Sequence, residues 1–327
     1  MHTSLDTAGE RLAIDCEVPW IASLIAEGAG GALRPSDAAA ASVRIRVEKH
    51  RRPFDTRGWQ VLTRGARSRP GTVVVTNACT AGFDLRLRCT PEGAEFTFRW
   101  RPPLRDRAAS RILQSRFHLL ARAVLMQYPA LWWAQVRGRA PLHASAYTGG
   151  ESTPLVCSAS GVGRSTLLLA EIDAGAKATG DNLAVGDGAT VWGLVEPVRI
   201  RGAGGRRMPH GRSETPIPDR VDALAPDSLV ILERGQSEQP SLSPCSPDAA
   251  ARSLVTSTYM AGELRRYWSF AATLSAGTGY GPAHPPVTEV ASAFAAALPC
   301  YSLALGATPG AERLSKLLSS RGIAAWA

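Results

Sequence analysis

Apolar and polar positions alternate one by one through the first third of the chain and then fall into longer, helix-spaced groups. In "ASVRIRVEKH", Val43, Ile45 and Val47 alternate with Arg44 and Arg46, the period of two that a half-buried strand requires. "GWQVLTRG", "GTVVVTNA", "FDLRLRCT" and "AEFTFRW" also read as strands, separated by turn formers such as "RSRPG" and "TPEG". Together they predict a mainly β module. From Ser110 to Trp133, Ile112, Leu113, Phe117, Leu120, Val124 and Leu125 recur at helical intervals, and Pro129 is expected to end or kink that helix. A domain boundary is therefore expected between residues 105 and 140, giving an N-terminal module of residues 1–135 and a second domain of residues 136–327.

Beyond Pro141 the rhythm changes. "PLHASAYTG" predicts a strand ending in a turn at Gly149 and Gly150, "TPLVCSASG" a short apolar strand, and "RSTLLLAEIDAG" a helix closing on Gly175. "AKATGDNLAVGDGATVWGLVEPVRIRG" predicts several strands around the turn Asp187–Gly188, and "DSLVILERG" one more. "RGQSEQPSLSPCSPD" reads as a polar loop, and the rest of the C-terminal third as helices with one strand. In "MAGELRRYW", Tyr267 and Trp268 read as core packing. Strand, glycine loop, helix and strand again is an α/β order, and it is the order a phosphate site needs.

Charge narrows the possible partners. Against 28 acidic residues stand 37 basic ones, a net charge of +9, and nearly all of the basic residues are arginine because the only lysines are Lys49, Lys177 and Lys316. Such a balance suits an anionic partner, nucleotide phosphates or an acidic peptide, but its spread along the chain is not the footprint expected of a nucleic-acid binder. The six cysteines form no CxxC pair and no Cys/His spacing suited to zinc. The N-terminus lacks the charged head and apolar run of a signal peptide, and no stretch is apolar for the length of a membrane span. The expectation is a soluble, cytoplasmic protein without a membrane partner. Neither GxSxG nor HExxH is present, so hydrolase chemistry has no motif to rest on.

"LVCSASGVGRSTLLL" comes close to the Walker A pattern, with Ser158 where the first Gly belongs and Arg164 where the Lys belongs. Gly161 and Gly163 keep the backbone freedom that lets consecutive N–H groups turn toward a phosphate at a helix start. The candidate phosphate cradle is thus Ser158, Ser160, Gly161, Val162, Gly163, Arg164, Ser165 and Thr166, with the Ser165 hydroxyl placed for Mg²⁺. If Ser158 must adopt a left-handed backbone, it costs about 1–2 kcal/mol. Arg164 keeps the charge but is longer and planar, which favours binding over turnover. Asp181, in a Gly-Asp-Asn sequence, is the candidate general base for a substrate hydroxyl; the same three residues also read as a simple turn. "RIRGAGGRRMPHGRSE" gathers Arg199, Arg201, His210 and Arg212 into a cluster that either clamps phosphates or an acidic peptide, or forms a solvated loop.

In order and spacing, "PLHASAY", "CSASGVGRSTLLL", "GAKATGDNLAV" and "VEPVRIRGAGG" resemble the catalytic domain of HPr kinase/phosphorylase and its relatives. The resemblance is clearest from Pro141 to about Gly205, and residues 1 to about 135 do not resemble that enzyme's own N-terminal domain. It implies an HPr-kinase/phosphoenolpyruvate-carboxykinase-like P-loop domain of α/β class behind the mainly β module, with ATP and Mg²⁺ as cofactors. It also implies a peptide or small-protein substrate and, because family members form rings, a homo-oligomer. The family's Asp-Asp pair appears here as Asp181-Asn182, so the resemblance makes Asp181 the base and Asn182 a neutral metal-side ligand. His143 falls at a family His near the active site. Arg199 stands where the family has a Glu, and Glu196 is the one nearby carboxylate that could replace it.

Two functions are expected from this pattern. The first is ATP- and Mg²⁺-dependent phosphorylation of a hydroxyl, that of serine in a peptide or small protein, with Asp181, His143 and Arg164 in catalytic roles and Arg199, Arg201, His210 and Arg212 on the substrate. The second is a catalytically impaired relative that binds nucleotide or peptide as a scaffold or regulator; the altered positions 158, 164, 182 and 199 point that way.

Overall fold

In the computed structural model of the protein, which describes residues 1–201, 206–207, 212–237, 239–306 and 313–320, the chain divides into two compact units. One comprises Met1–Gly138 with Arg206–Arg212 and Arg266–Pro285; the other comprises Arg139–Gly205, Ser213–Arg265 and Pro286–Ala327. The protein is of mixed α/β class. Among the described residues no helix is long and apolar enough to cross a membrane.

The first unit is built on a nine-stranded sheet. A hairpin of β1 (His2–Thr7) and β2 (Glu10–Cys16) turns at Ala8 and Gly9, both at positive φ, as a two-residue turn that follows strand twist requires. Helix α1 (Pro19–Ala29) and the two-residue β3 (Arg34–Pro35) follow, and the chain then enters β4 (Val43–Glu48) parallel to β2. The strands β5 (Gln60–Thr63), β6 (Ala66–Arg69), β7 (Thr72–Val75), β8 (Phe83–Thr90) and β9 (Gly93–Trp100) form an antiparallel meander, and β9 pairs in parallel with β4. The alternation in β4 is realised as read: Val43, Ile45 and Val47 are buried and Arg44 and Arg46 exposed. Three apolar segments near the N-terminus, β1, β2 and α1, escaped the sequence reading.

The predicted helix of residues 110–133 is instead a series: α2 (Leu104–Ile112), α3 (Gln114–Arg122), one π-helical segment over Ala123–Gln127, and α4 (Tyr128–Val136). Pro129 falls in the first turn of α4, where its missing N–H leaves no bond unmade, and the wider π turn ahead of it spares the helix a break. Helix α7 (Tyr267–Thr278) also belongs to this unit, although its sequence position suggested the second domain. Tyr267 is fully buried and donates its hydroxyl proton to Gln135 Oε1 at 2.8 Å, so the packing role read for it holds.

In the second unit two sheets meet at a single residue. The strand predicted from "PLHASAYTG" is broken at His143 into β10 (Ala140–Leu142) and β11 (Ala144–Ala146), which join different sheets. β10 pairs with β13 (Ala184–Gly186), which continues to β14 (Val191–Gly193) through the turn at Asp187 and Gly188. β11 pairs antiparallel with β12 (Pro154–Ser158). Helix α5 (Arg164–Ile172) follows β12; β15 (Val198–Arg201), β17 (Arg212–Thr215) and β18 (Ala223–Leu224) are short, and β16 (Arg206–Arg207) between them falls to the first unit. β19 (Ser228–Arg234) lies parallel beside β12, and beyond it β21 (Cys300–Leu305) is parallel again. β20 (Ser241–Pro244) closes the order β11-β12-β19-β21-β20; it lies inside the segment read as a polar loop. Between this sheet and α5 and α9 (Leu314–Ser320), Val156, Leu167, Leu168, Val230, Leu232, Leu303, Leu314 and Leu318 form a core. The helices α6 (Pro247–Tyr259) and α8 (Val287–Ala297) also pack within this unit.

Candidate functional site

The C-terminal end of β12 runs into the glycine loop, and parallel β19 ends beside it, which is where open α/β sheets place their ligands. Gly161 has φ 82° and Gly163 φ 132°, values that an L side chain rarely tolerates. A Cβ on Gly163 would also lie 3.0 Å from Leu305 Cδ1. Among the described residues the main-chain N–H groups of Ser160, Gly161, Gly163, Arg164, Ser165 and Thr166 meet no main-chain acceptor, while Leu167 N–H already donates to Gly163 O at 3.0 Å. Arg234 Nη2 donates to Gly161 O at 2.8 Å and holds the loop from outside. Arg234 was not singled out from the sequence; its signal was its place at the end of the strand paired with β12.

Ser158 does not need the left-handed backbone considered for it. It is the last residue of β12, extended and buried, so the cost of 1–2 kcal/mol does not arise. Accordingly, Ser158→Gly, which restores the Walker letter, is expected to destabilise the protein by roughly 0.5–1 kcal/mol through added backbone entropy and to leave anion affinity unchanged. Chemical denaturation and phosphate titration check the two halves of that expectation.

Arg164 is the centre of the site. Its side chain is buried, and its guanidinium is surrounded by acceptors from the protein itself. Nε donates to Asp181 O at 3.1 Å and Nη1 to His143 O at 2.9 Å. Nη2 meets His143 Nε2 at 2.8 Å, Asn182 Oδ1 at 3.0 Å and Asn182 O at 3.3 Å. A planar fork is needed to reach three carbonyls on two segments at once, and a lysine could not do it. Burial pulls the Arg164 pKa down, with Asp181 the chief opposing charge. His143 is pushed down to about 4, first by burial and then by Arg164, so its ring is neutral and its Nε2 serves Arg164 as acceptor.

Asp181 is also buried, and burial raises its pKa against the lowering effect of Arg164 and Ser165. Its Oδ2 accepts from the Ser165 hydroxyl at 2.8 Å, while its Oδ1 has no partner among the described residues. The candidate base therefore does lie against the helix that begins at the loop. Asn182, beside it, donates from Nδ2 to Glu263 Oε1 at 2.9 Å. Of the two Mg²⁺ donors implied by the resemblance, the Asn182 side-chain carbonyl already accepts from Arg164, whereas the Ser165 hydroxyl donates its proton to Asp181 and keeps its oxygen lone pairs. Among the described residues no group of three or more His, Cys, Asp or Glu side chains is arranged to hold a metal ion.

Arg199 turns inward, away from the substrate-clamping role considered for it. Its Nη1 bonds Glu263 Oε1 at 3.0 Å, its Nη2 lies 3.8 Å from Glu196 Oε2, and its Nε 3.8 Å from Glu214 Oε1. Glu196 Oε1 in turn accepts from the main-chain N–H groups of Asn182 and Leu183 at 3.1 and 2.8 Å. Burial pushes Glu196 up to about 7, with Arg199 pulling the other way. Burial works to raise Glu263, but Arg199, a main-chain hydrogen bond, His143 and the Asn182 amide together outweigh it and hold that carboxyl below its ordinary range. Glu214 and Glu263 were missed in the sequence; an acid within the largely apolar run "MAGELRRYW" was the available signal for the second. Of the remaining basic cluster, His210 lies outside the described residues, and Arg201 and Arg212 are described only as positions in β15 and β17. In comparison with known proteins, the sequence matches no protein-family model and no curated protein.

Proposed function

We propose that the second unit is an HPr-kinase-like P-loop domain that binds a nucleotide through the loop amides of Ser160–Thr166 and does not carry out metal-dependent phosphoryl transfer, acting as a nucleotide-responsive scaffold or regulator for a peptide. The observation that carries this reading is the Arg164 guanidinium. In a working kinase the cation at this position is reserved for the phosphates, and here it is spent on His143, Asp181 and Asn182. The unpartnered N–H groups support binding, because backbone donors at a helix start need no side-chain chemistry to hold an anion. The cation Arg199 where the resembling family has a carboxylate, together with the engagement of the Asn182 side-chain carbonyl by Arg164, supports the loss of metal-dependent turnover.

The full-length protein is expected to melt at a higher temperature with millimolar ATP, by about 2–3 kcal/mol of stabilisation at a hundredfold excess over Kd. The shift should be the same in magnesium and in EDTA, with no ATP consumption above a protein-free control. Magnesium-dependent ATP consumption or phosphate transfer to a serine would overturn the reading in favour of an active kinase with Asp181 as base. Absence of any nucleotide-dependent shift would overturn its binding half.

A further inference from the structure

The outer face of the first unit's sheet gathers arginines. Register sets the arrangement: Arg69 on β6 faces Thr72 on β7, which faces Arg88 on β8, and Arg86 lies two residues along β8 on the same face. Over these strands the segment containing Phe54 and Trp59 borders a cavity of about 420 Å³, which is also lined by Asp55, Arg57 and Arg99. Five arginines thus face one aspartate.

The guanidiniums are held rather than loose. Those of Arg86 and Arg99 lie 5.0 and 4.0 Å from the centre of the Phe54 ring, and that of Arg69 lies 4.6 Å from the centre of the Trp59 ring. Arg99 also pairs with Glu48 at 2.8 Å and donates to Arg52 O and Pro53 O, which anchors the covering segment. Arg57 pairs with Asp55 at 2.9 Å. That leaves Arg69, Arg86 and Arg88, none of which makes an ion pair among the described residues. Glu95 is the cross-strand neighbour of Arg88, and Glu48 and Glu95 act on Arg86 only at longer range. Burial draws the Arg86 pKa below its ordinary value; Glu48 and Glu95 oppose that shift, and Arg99 and Arg88 add to it.

We infer that this cavity binds an oligophosphate, either free or as part of a small molecule. Three guanidiniums without an ion-pair partner exceed what one phosphate group, with roughly 1.5–2 negative charges, can balance, and guanidinium forks match phosphate oxygens in pairs. An acidic peptide spreads its carboxylates along an extended chain, whereas the arginines here converge on one open depression.

The inference is independent of the loop in the second unit, and the test keeps the two apart. Pyrophosphate is titrated calorimetrically into the full-length protein, into Gly163→Val, which disables the loop, and into that variant carrying R69Q and R88Q as well. Both arginines are exposed, and thermal melting verifies that each variant is folded. Pyrophosphate is expected to bind Gly163→Val at one site, with affinity falling at least tenfold when R69Q and R88Q are added and weakening steeply with salt. A free ligand and a nucleotide-borne one are told apart by comparing pyrophosphate with ADP in the Gly163→Val background. The inference is overturned if Gly163→Val alone abolishes all binding, if R69Q with R88Q leaves affinity unchanged, or if a polyglutamate peptide binds these arginines more tightly than pyrophosphate. If the loop reading fails instead, Gly163→Val will leave ATP binding intact while the arginine variants still weaken pyrophosphate.

Discussion

Replacing Arg164 by Met is expected to destabilise the folded protein by about 3–5 kcal/mol, the range for removing one member of a buried charged network. Three main-chain carbonyls, those of His143, Asp181 and Asn182, lose their donor in a site where water has little access. Asp181 loses its strongest opposite charge, so its already raised pKa rises further. Lysine retains the charge and three donors but not the fork, and Arg164→Lys should fall between the two at roughly 1.5–3 kcal/mol. Denaturant unfolding followed by far-UV circular dichroism gives both values. The lysine variant also tests the function: freed from the carbonyls, its ammonium could turn to the loop. ATP consumption that appears only in Arg164→Lys would identify the guanidinium as the block to turnover. A loss of under about 1 kcal/mol in Arg164→Met would mean that the network holds little of the fold.

Removing Arg199 has the other large effect, and it depends on pH. Arg199→Met leaves Glu196, Glu214 and Glu263 without the cation between them, and the expected cost is roughly 3 kcal/mol at pH 8. Near pH 5 the cost should be roughly half as large, because the carboxyls can take up protons. The sign follows from Glu196, whose pKa is pushed up to about 7 from its ordinary 4.5 even with Arg199 in place. A carboxyl raised on folding contributes fully below about pH 4.5, and its contribution is lost as pH climbs through 7. His143, lowered to about 4, works in the opposite direction between pH 4 and 6.5. Glu196→Gln separates the two, since its amide oxygen can still accept from Asn182 and Leu183. Relative to the parent, this variant should gain stability from pH 4.5 to 8. A pH-independent difference between the two proteins would show that Glu196 does not titrate in this window.

Strand β4 and the β12-loop-α5 unit were legible because their signals are local. Period-two alternation needs only the residues between Val43 and Val47, and the loop needs only Gly161, Gly163 and the apolar helix behind them. β20 was hidden because Ser241–Pro244 looks like a loop and becomes a strand only through its ladder to β21. The break at His143 was hidden for a related reason, since the two halves of one apolar stretch are claimed by different sheets.

By itself the sequence determined that a mainly β unit precedes an α/β unit, that a glycine loop opens α5, and that an arginine stands where a lysine usually serves. What that arginine does was decided by tertiary structure alone. Residue 164 carries the same charge and the same donors whether it faces a phosphate or the carbonyls of residues 143, 181 and 182. Only the approach of those distant segments gives the guanidinium partners inside the protein. The same holds for Arg199, whose three carboxylates come from β17, from the segment before β15 and from the segment after α6. Long-range electrostatics of this kind has no period in a sequence. It exists only once the chain has folded and water has been displaced from around the charges.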